Sequence, residues 1–441
     1  MMESEARAAQ GETPMTLSAS VAPRLMAALV GIAVPGLVFG RAVTAVVLIL
    51  AVLAVFFLPH RRACLRALVR RARTPFGVML GVTFALWLPS VAFSLDPLRS
   101  LEVWARMILF VGAAILIWAA FVEDDRMRAL GLRALLVGTA TVLVGSLVAL
   151  YVAPELLSFV RAKGWQTADA RLGLKGFASA AMLLIPVVLW SGYRLGGKWI
   201  YCAVGEALGL LAVIRGTNSW SAIAGLLAMV IVSGALVVIV RRRRALTVGA
   251  AVAVSAITIA VLVWLHDTRS FRTAADVENS ALPVWLIDAP RQAIWRFTFE
   301  RGMEAPWVGH GINTINLLPG VSDTKIPIWN ISYIPSHPHN WVVEVFAESG
   351  VVGLAPLLVV VAMMLTRLTR DYVRTQDPAI LAATAVCVGY WISGLFNFSF
   401  WSAWWQVSFV VLLALCLSDR RRRETGSGPP AKAPAQAPGR T

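Results

Sequence analysis

The feature that most constrains this chain is the recurrence of long apolar runs. A hydrocarbon core about 30 Å thick is crossed by a helix of about 20 mostly apolar residues. Twelve such runs are readable, at 23–39, 42–58, 76–95, 107–122, 134–153, 176–193, 199–214, 220–240, 245–265, 341–366, 379–397 and 402–418. Hydrophobic residues make up 58% of the chain and charged ones 15%, against about 45–50% and about 25% in soluble domains. The pattern predicts an all-α integral membrane protein. It argues against a cytosolic enzyme, a secreted disulfide scaffold or a nucleic-acid module. The net charge of +16 would suggest an acidic partner in a soluble protein, whereas basic loops explain it in a membrane one. Cys202, Cys387 and Cys416 lie in apolar runs and Cys64 in a basic loop, so no disulfide or metal framework is visible.

The placement of Lys and Arg orients the spans. Segment 59–75 carries Arg61, Arg62, Arg66, Arg70, Arg71 and Arg73, and two four-arginine runs follow at Arg241–Arg244 and Arg420–Arg423. With twelve spans these fall on one side, together with Arg126, Arg128, Arg133, Arg194, Lys198, Arg367, Arg370 and Arg374, and the positive-inside rule makes that side cytoplasmic. The reading is then a cytoplasmic tail at 1–22, nine spans within 23–265, an outer loop at 266–340, three spans within 341–418 and a cytoplasmic tail at 419–441. The first segment lacks a cleavable signal pattern, so the first span is expected to stay as an anchor, with Gly40 and Arg41 at a tight bend after it. The last tail, rich in Pro, Ala and Gly, reads as disordered. The outer loop carries Trp, Pro and Gly and reads as folded; long loops of this kind usually carry function.

Four of the five histidines (His266, His310, His337 and His339) lie in that loop or at its edges. His339 and Asn340 open a long apolar helix in which Val343, Phe346, Gly350 and Gly353 follow His339 at helical spacing. The two glycines would let a second helix approach that face, and Asn340, Glu344 and Glu348 form the neighbouring row. A helix N-terminus disfavours imidazolium, so a neutral ring able to act as general base is expected. On spacing alone, a capping or interfacial histidine is the alternative. Upstream, Asp288, Pro290 and Gly302 suit the cap, first turn and stop of a helix that puts Arg291 and Trp295 on one face. Pro306, Gly309 and Gly311 then form a turn. Arg291 reads either as an anion ligand or as a solvated charge. Arg161, Lys163, Arg171, Lys175 and Arg215 add cations on a face that should be poor in them. That favours a bound anion, and Arg suits a diphosphate. Glu206, inside the seventh span, pairs with a cation, lines a cavity or serves structure. A metal on His310, His337 and His339 is not expected, since no His-Glu-x-x-His pattern accompanies them.

The run His339-Asn340, nine residues, Gly350, two residues, Gly353 resembles the signature of the O-antigen ligase family, within the wider group of O-antigen ligases and polymerases. Arg291-x3-Trp295 and Pro306-x2-Gly309-x-Gly311 resemble it too, as does the span number. The segment Arg171–Ser179 is similar but lacks the Asn usual there. The resemblance implies a C-type glycosyltransferase fold with its large loop in the periplasm, in the bacterial inner membrane. The implied donor is a glycan on undecaprenyl diphosphate and the implied acceptor the lipid A–core, with membrane lipids around them and no cofactor, metal or nucleic acid. It implies His339 as the catalytic residue and Arg171, Arg215 and Arg291 as diphosphate ligands. Asn340, Glu344, His337, Trp295, Gly350 and Gly353 would support them in an inverting transfer. A polymerase of the same family is the nearest alternative, and Arg291 with ten residues before Gly302 fits a loose polymerase-like spacing. A transporter would need ionisable groups on broken helices near the midplane, and a non-catalytic scaffold would not need His339.

Overall fold

The structure, a computed structural model, describes residues 17–161, 169–241, 289–321, 325–326, 331–332, 334 and 336–419. Fourteen α-helices lie among the described residues: α1 Leu17–Ala33, α2 Arg41–Val55, α3 Arg61–Ala72, α4 Pro75–Ala92, α5 Pro97–Glu123, α6 Asp125–Tyr151, α7 Glu155–Val160, α8 Ala170–Leu195, α9 Lys198–Gly216, α10 Trp220–Val240, α11 Ala289–Gly302, α12 Trp341–Thr375, α13 Pro378–Ser393 and α14 Ala403–Ser418. Seven of them (α4, α5, α6, α8, α9, α10 and α12) are long and apolar enough to cross a membrane, and α1, α2, α13 and α14 contain shorter apolar stretches. These eleven correspond to eleven of the twelve spans read from the sequence. The twelfth, 245–265, lies outside the described residues, as do Asp288, Lys163, residues 1–16 and the tail from 420 onward. The protein is an all-helical, multi-pass membrane protein. Its only strands among the described residues are the two-residue pair β1 Lys325–Ile326 and β2 Ile331–Ser332, antiparallel.

Polar caps mark the helix starts. Asp96, Asp124, Asp169, Asn340 and Asp377 each accept a backbone N–H from the first turn of α5, α6, α8, α12 and α13. The bend after α1 is as expected: a 3-10 turn at Pro35–Phe39 leads to Gly40 at φ 141°. The arginine-rich segment is not a loop, however. It forms α3, which buries Cys64 and Ala67.

α8 is the central element, with two-thirds of its apolar stretch buried among its neighbours. On one face of the molecule the guanidinium of buried Arg128 meets Asp125 and Asp419, and Asp419 also binds Arg194 at 2.9 Å. This ties the ends of α6, α8 and α14 together. Trp118 of α5 donates to the Leu417 carbonyl at the same end. His337 and His339 lie at the opposite ends of these helices.

The largest departure from the sequence reading is in α12. His339 has φ 60° and stands before the helix rather than on its periodic face. Gly350 has φ 64° and ψ −171°, which interrupts the helix. The interruption is filled by the segment after α11. Val351 N–H donates to the Pro306 carbonyl at 2.9 Å and Val352 N–H to that of Trp307 at 3.2 Å, while His310 and Gly311 N–H donate to the carbonyls of Ala347 and Glu348. The Ser90 hydroxyl also donates to Glu348 O, at 2.6 Å. A loop, not a second helix, therefore approaches Gly350, because 3.6-residue periodicity stops there. The expectation of a helical neighbour holds only at Gly353, whose carbonyl accepts from Trp87 Nε1 of α4 at 3.1 Å.

A Cβ at Gly350 would stand 2.1 Å from the Trp307 carbonyl oxygen, and its backbone region is one that only glycine adopts readily, at about 1–3 kcal/mol for other residues. Gly350→Ala is expected to lower the yield of folded protein and its thermal midpoint in detergent sharply. Gly145→Ala, where a Cβ meets nothing within 4 Å, should leave both unchanged.

Candidate functional site

The site is assembled where the entry to α12 meets the loop between α13 and α14. Trp295 on α11 donates through Nε1 to the Pro338 carbonyl at 3.0 Å and packs on Phe396, with ring centroids 5.8 Å apart. This fastens α11 to the short histidine segment. Asn340 caps α12 through Val342 and Val343 N–H, as its position suggested.

His339 Nδ1 lies 3.1 Å from the Asn397 carbonyl oxygen. A carbonyl only accepts, so in the neutral ring Nδ1 carries the proton and the lone pair is on Nε2. Asn397 is itself held by its side chain: Oδ1 accepts from Ser179 on α8 at 3.3 Å and Nδ2 donates to Ser393 at 3.2 Å. Glu344 does not touch the ring. Its buried carboxylate accepts Phe400 N–H at 2.7 Å, bracing the loop that contains Asn397. Glu348 accepts Asn313 and Ile315 N–H at 2.8 and 2.9 Å and the Trp401 indole N–H, joining the outer loop to the same wall.

His337 packs against His339 with the rings tilted at 56° and their centroids 4.1 Å apart, and its Nδ1 is 2.7 Å from the Ser336 hydroxyl. Burial pushes the His339 ring down to about 4, helped by the positive charges of Arg291 and Lys175 and opposed by the bond to Asn397. Burial likewise pushes His337 to about 3, with His339, Arg41 and Arg291 adding to the effect. The neutral ring expected from the helix terminus is found, but burial is its first cause. His310 is a brace: its Nε2 lies 2.8 Å from the Arg301 carbonyl.

The three predicted arginines separate. Arg171 and Arg215 line one open pocket of about 360 Å³ with Leu150, Tyr151, Gly216 and Asn218, and Arg215 donates to Asn218 at 3.0 Å. Arg291, half-buried on α11, acts on the two histidines instead. Lys175 follows Arg171 by one turn of α8 and connects the two places electrostatically. Arg41 joins the histidine side: its guanidinium lies 5.5 Å from the Phe398 ring and 5.7 Å from that of Trp404, and Phe398 also packs on His337. Arg161, beside Arg41, is pinned to the Val38 and Gly173 carbonyls at 3.0 Å each, and burial lowers its affinity for a proton. Sequence reasoning did not single out Asn397 or Ser179 for the site, and it placed Arg41 only among the outer-face cations that could hold an anion. The only available signal was Arg41's place on a face that should be poor in cations.

A multi-pass membrane protein with a neutral histidine ringed by cations at one face is the class these observations define. Residues 205–358 match the family model described as O-antigen ligase. Proteins named provisionally as polysaccharide ligases are 28% identical to the chain over 131 residues in Rickettsia typhi and 25% identical over 130 in Rickettsia conorii. Each alignment covers 29% of this chain and 31% of the relative, so the chain spans about a third of the length of the curated relatives it matches. The segment similar to the O-antigen ligase family runs from α9 into α12.

The histidines have a measurable signature. The His339 ring is held below its ordinary value of 6.5, so its contribution to stability is complete above pH 6.5 and is lost as pH falls toward 4. Nitrogen NMR of histidine-labelled protein should show His339 as the neutral Nδ1–H form throughout pH 8 to 5. A ring that protonates near 6.5 would contradict the burial described.

Proposed function

We propose that this chain is a polysaccharide ligase that moves a glycan from undecaprenyl diphosphate onto a hydroxyl of the lipid A–core, at the periplasmic face of the bacterial inner membrane. The observation that carries the proposal is the orientation of His339. Its proton-bearing Nδ1 is tied to Asn397, so the lone pair on Nε2 is set up to receive a proton. The family resemblance supplies the donor and acceptor classes, the C-type glycosyltransferase fold and a reaction without metal or cofactor.

In this reading the acceptor hydroxyl oxygen attacks the anomeric carbon from the face opposite the diphosphate. The bond from that carbon to the diphosphate oxygen breaks, the electron pair leaves with the diphosphate, and the configuration inverts. The hydroxyl proton passes to His339 Nε2. Arg171 and Arg215, which share a pocket, hold the diphosphate, and Arg291 and Lys175 stabilise the charge that develops on it nearer the histidine. His337, half-buried and neutral, adds no competing positive charge beside the base. Trp295, Asn340 and Glu344 keep the histidine segment and the Asn397 loop in register, while Gly350 and Gly353 seat α12.

His339→Ala is expected to lower transfer by about 10²–10⁴-fold while the protein stays inserted and abundant. A well-expressed variant with full activity would remove the catalytic assignment. Arg215→Ala and Arg291→Ala should weaken donor binding more than the corresponding Lys changes, and unchanged donor affinity in all of them would refute the diphosphate clamp. The glycans of a deletion strain report the acceptor. Full-length polymer left on the lipid carrier marks a ligase, whereas single repeat units attached to the core mark a polymerase.

A further inference from the structure

The helix that the sequence disguised as a loop has no part in the site just described. α3 lies on the other face of the molecule, the face of Arg128, Arg194 and Asp419, because the Arg71 guanidinium stacks on Trp118 at 4.1 Å and Trp118 bonds Leu417 near the end of α14. α14 separates that end from the histidine end by 16 residues, roughly 24 Å of helix at about 1.5 Å per residue.

Two observations fix where α3 sits. Only residues 56–60 separate it from the apolar α2, and only Arg73 and Thr74 from the apolar α4. The second junction is rigid: Thr74 donates to Arg71 O at 2.7 Å and accepts Gly77 N–H at 3.1 Å, and a Cβ at Gly77 would stand 2.1 Å from Arg71 O. A cationic helix held this tightly between two apolar helices belongs at the level where the hydrocarbon ends.

Its outward surface is amphipathic in a particular order. Cys64 and Ala67 face the protein and are buried. Leu65 and Val69 form an exposed apolar row, 38% and 53% accessible, and Phe56 and Phe57 just before the helix are exposed as well. Arg62, Arg66 and Arg70 form the adjoining row at four-residue spacing, with Arg61 and Arg73 exposed at the two ends. α3 contains no acidic residue. An apolar row beside a cationic row is what a helix needs to rest its aliphatic side chains among acyl chains while its guanidiniums reach the phosphates.

We propose that α3 is a binding surface for anionic phospholipid headgroups of the leaflet in which it lies. Leu65 and Val69 enter the acyl boundary and Arg62, Arg66 and Arg70 engage the phosphates. The occupant is a lipid rather than a soluble polyanion because the cationic row is continuous with exposed apolar side chains, which a soluble anion would leave in water. It is not a protein because the flanking spans already hold the surface against the bilayer.

The test uses the full-length chain in detergent micelles, titrated with phosphatidylglycerol and read by native mass spectrometry as lipid retained per protein. The phosphatidylglycerol midpoint of the triple variant R62Q/R66Q/R70Q should rise by about 10²-fold, at roughly fivefold per arginine. R62K/R66K/R70K, which keeps the charge, should stay within a few-fold of the native chain, as should R126Q/R133Q, two exposed arginines of α6 on the same face. The single variant Arg66→Gln, an exposed change, gives the per-charge effect even where the triple variant is poorly folded. Phosphatidylcholine should show no difference among variants. Equal retention by R62Q/R66Q/R70Q and the native chain would overturn the proposal. So would an equal loss in R126Q/R133Q, since the attraction would then be spread over the whole face. Displacement of the lipid by inorganic phosphate at the same phosphate concentration would overturn the assignment to lipid.

Discussion

Everything around the histidines depends on how one broken helix is made good. Inside a membrane protein a freed backbone group has no water to turn to, and each one left unpaired costs several kcal/mol in hydrocarbon. α12 breaks at Gly350, and the segment 306–311 supplies two carbonyls on one side of the break and two N–H groups on the other. The exchange is reciprocal, so loop and helix can only be built together. It sets the first turns of α12 apart from its long membrane portion, and those turns carry Glu344 and Glu348 against the walls of the site. Gly309 and Gly311 belong to the same joint: both have positive φ, and a Cβ on either would overlap Glu348 or Ser94. Two glycine patterns forty residues apart in the chain are the two halves of one contact.

The electrostatics follow from this frame. Arg171 with Arg215 forms one cationic centre, and Arg41, Lys175 and Arg291 form another around the histidines. α8 serves both, because Arg171 and Lys175 are one turn apart near its start and Ser179, one turn further, holds Asn397. A single central helix thus carries charge to the Arg215 pocket, charge to the histidines and the anchor for the histidine's partner. At the far face the charges are arranged differently. Asp419 neutralises Arg128 and Arg194 there, while Arg62, Arg66 and Arg70 of α3 are exposed.

The spans were legible because a bilayer demands both length and apolarity, and chains such as 220–240 satisfy the demand without ambiguity; α10 has those bounds. α3 was not legible as a helix because its arginines mask a narrow buried stripe made of small residues, Cys64 and Ala67. In the site, the residue types were readable and their geometry was not. His339 and Gly350 were placed on one helical face by a period that neither of them obeys, since both have positive φ. Asn397 could not be foreseen: it is 58 residues from His339 in the chain and acts through its backbone carbonyl, a group every residue has. The three arginines were recognisable as cations on the unexpected side, but only the fold shows that they do not converge on one point.

The bond from His339 to the Asn397 carbonyl also governs how the ring is reset. With Nδ1–H tied to a group that cannot take the proton away, the imidazole cannot work as a relay that accepts at one nitrogen and releases at the other. In the proposed transfer, a proton that arrives at Nε2 leaves by the same atom. The base of that proposal is therefore recharged at the same nitrogen that took the proton, and whatever occupies that nitrogen's side of the ring delays the next cycle.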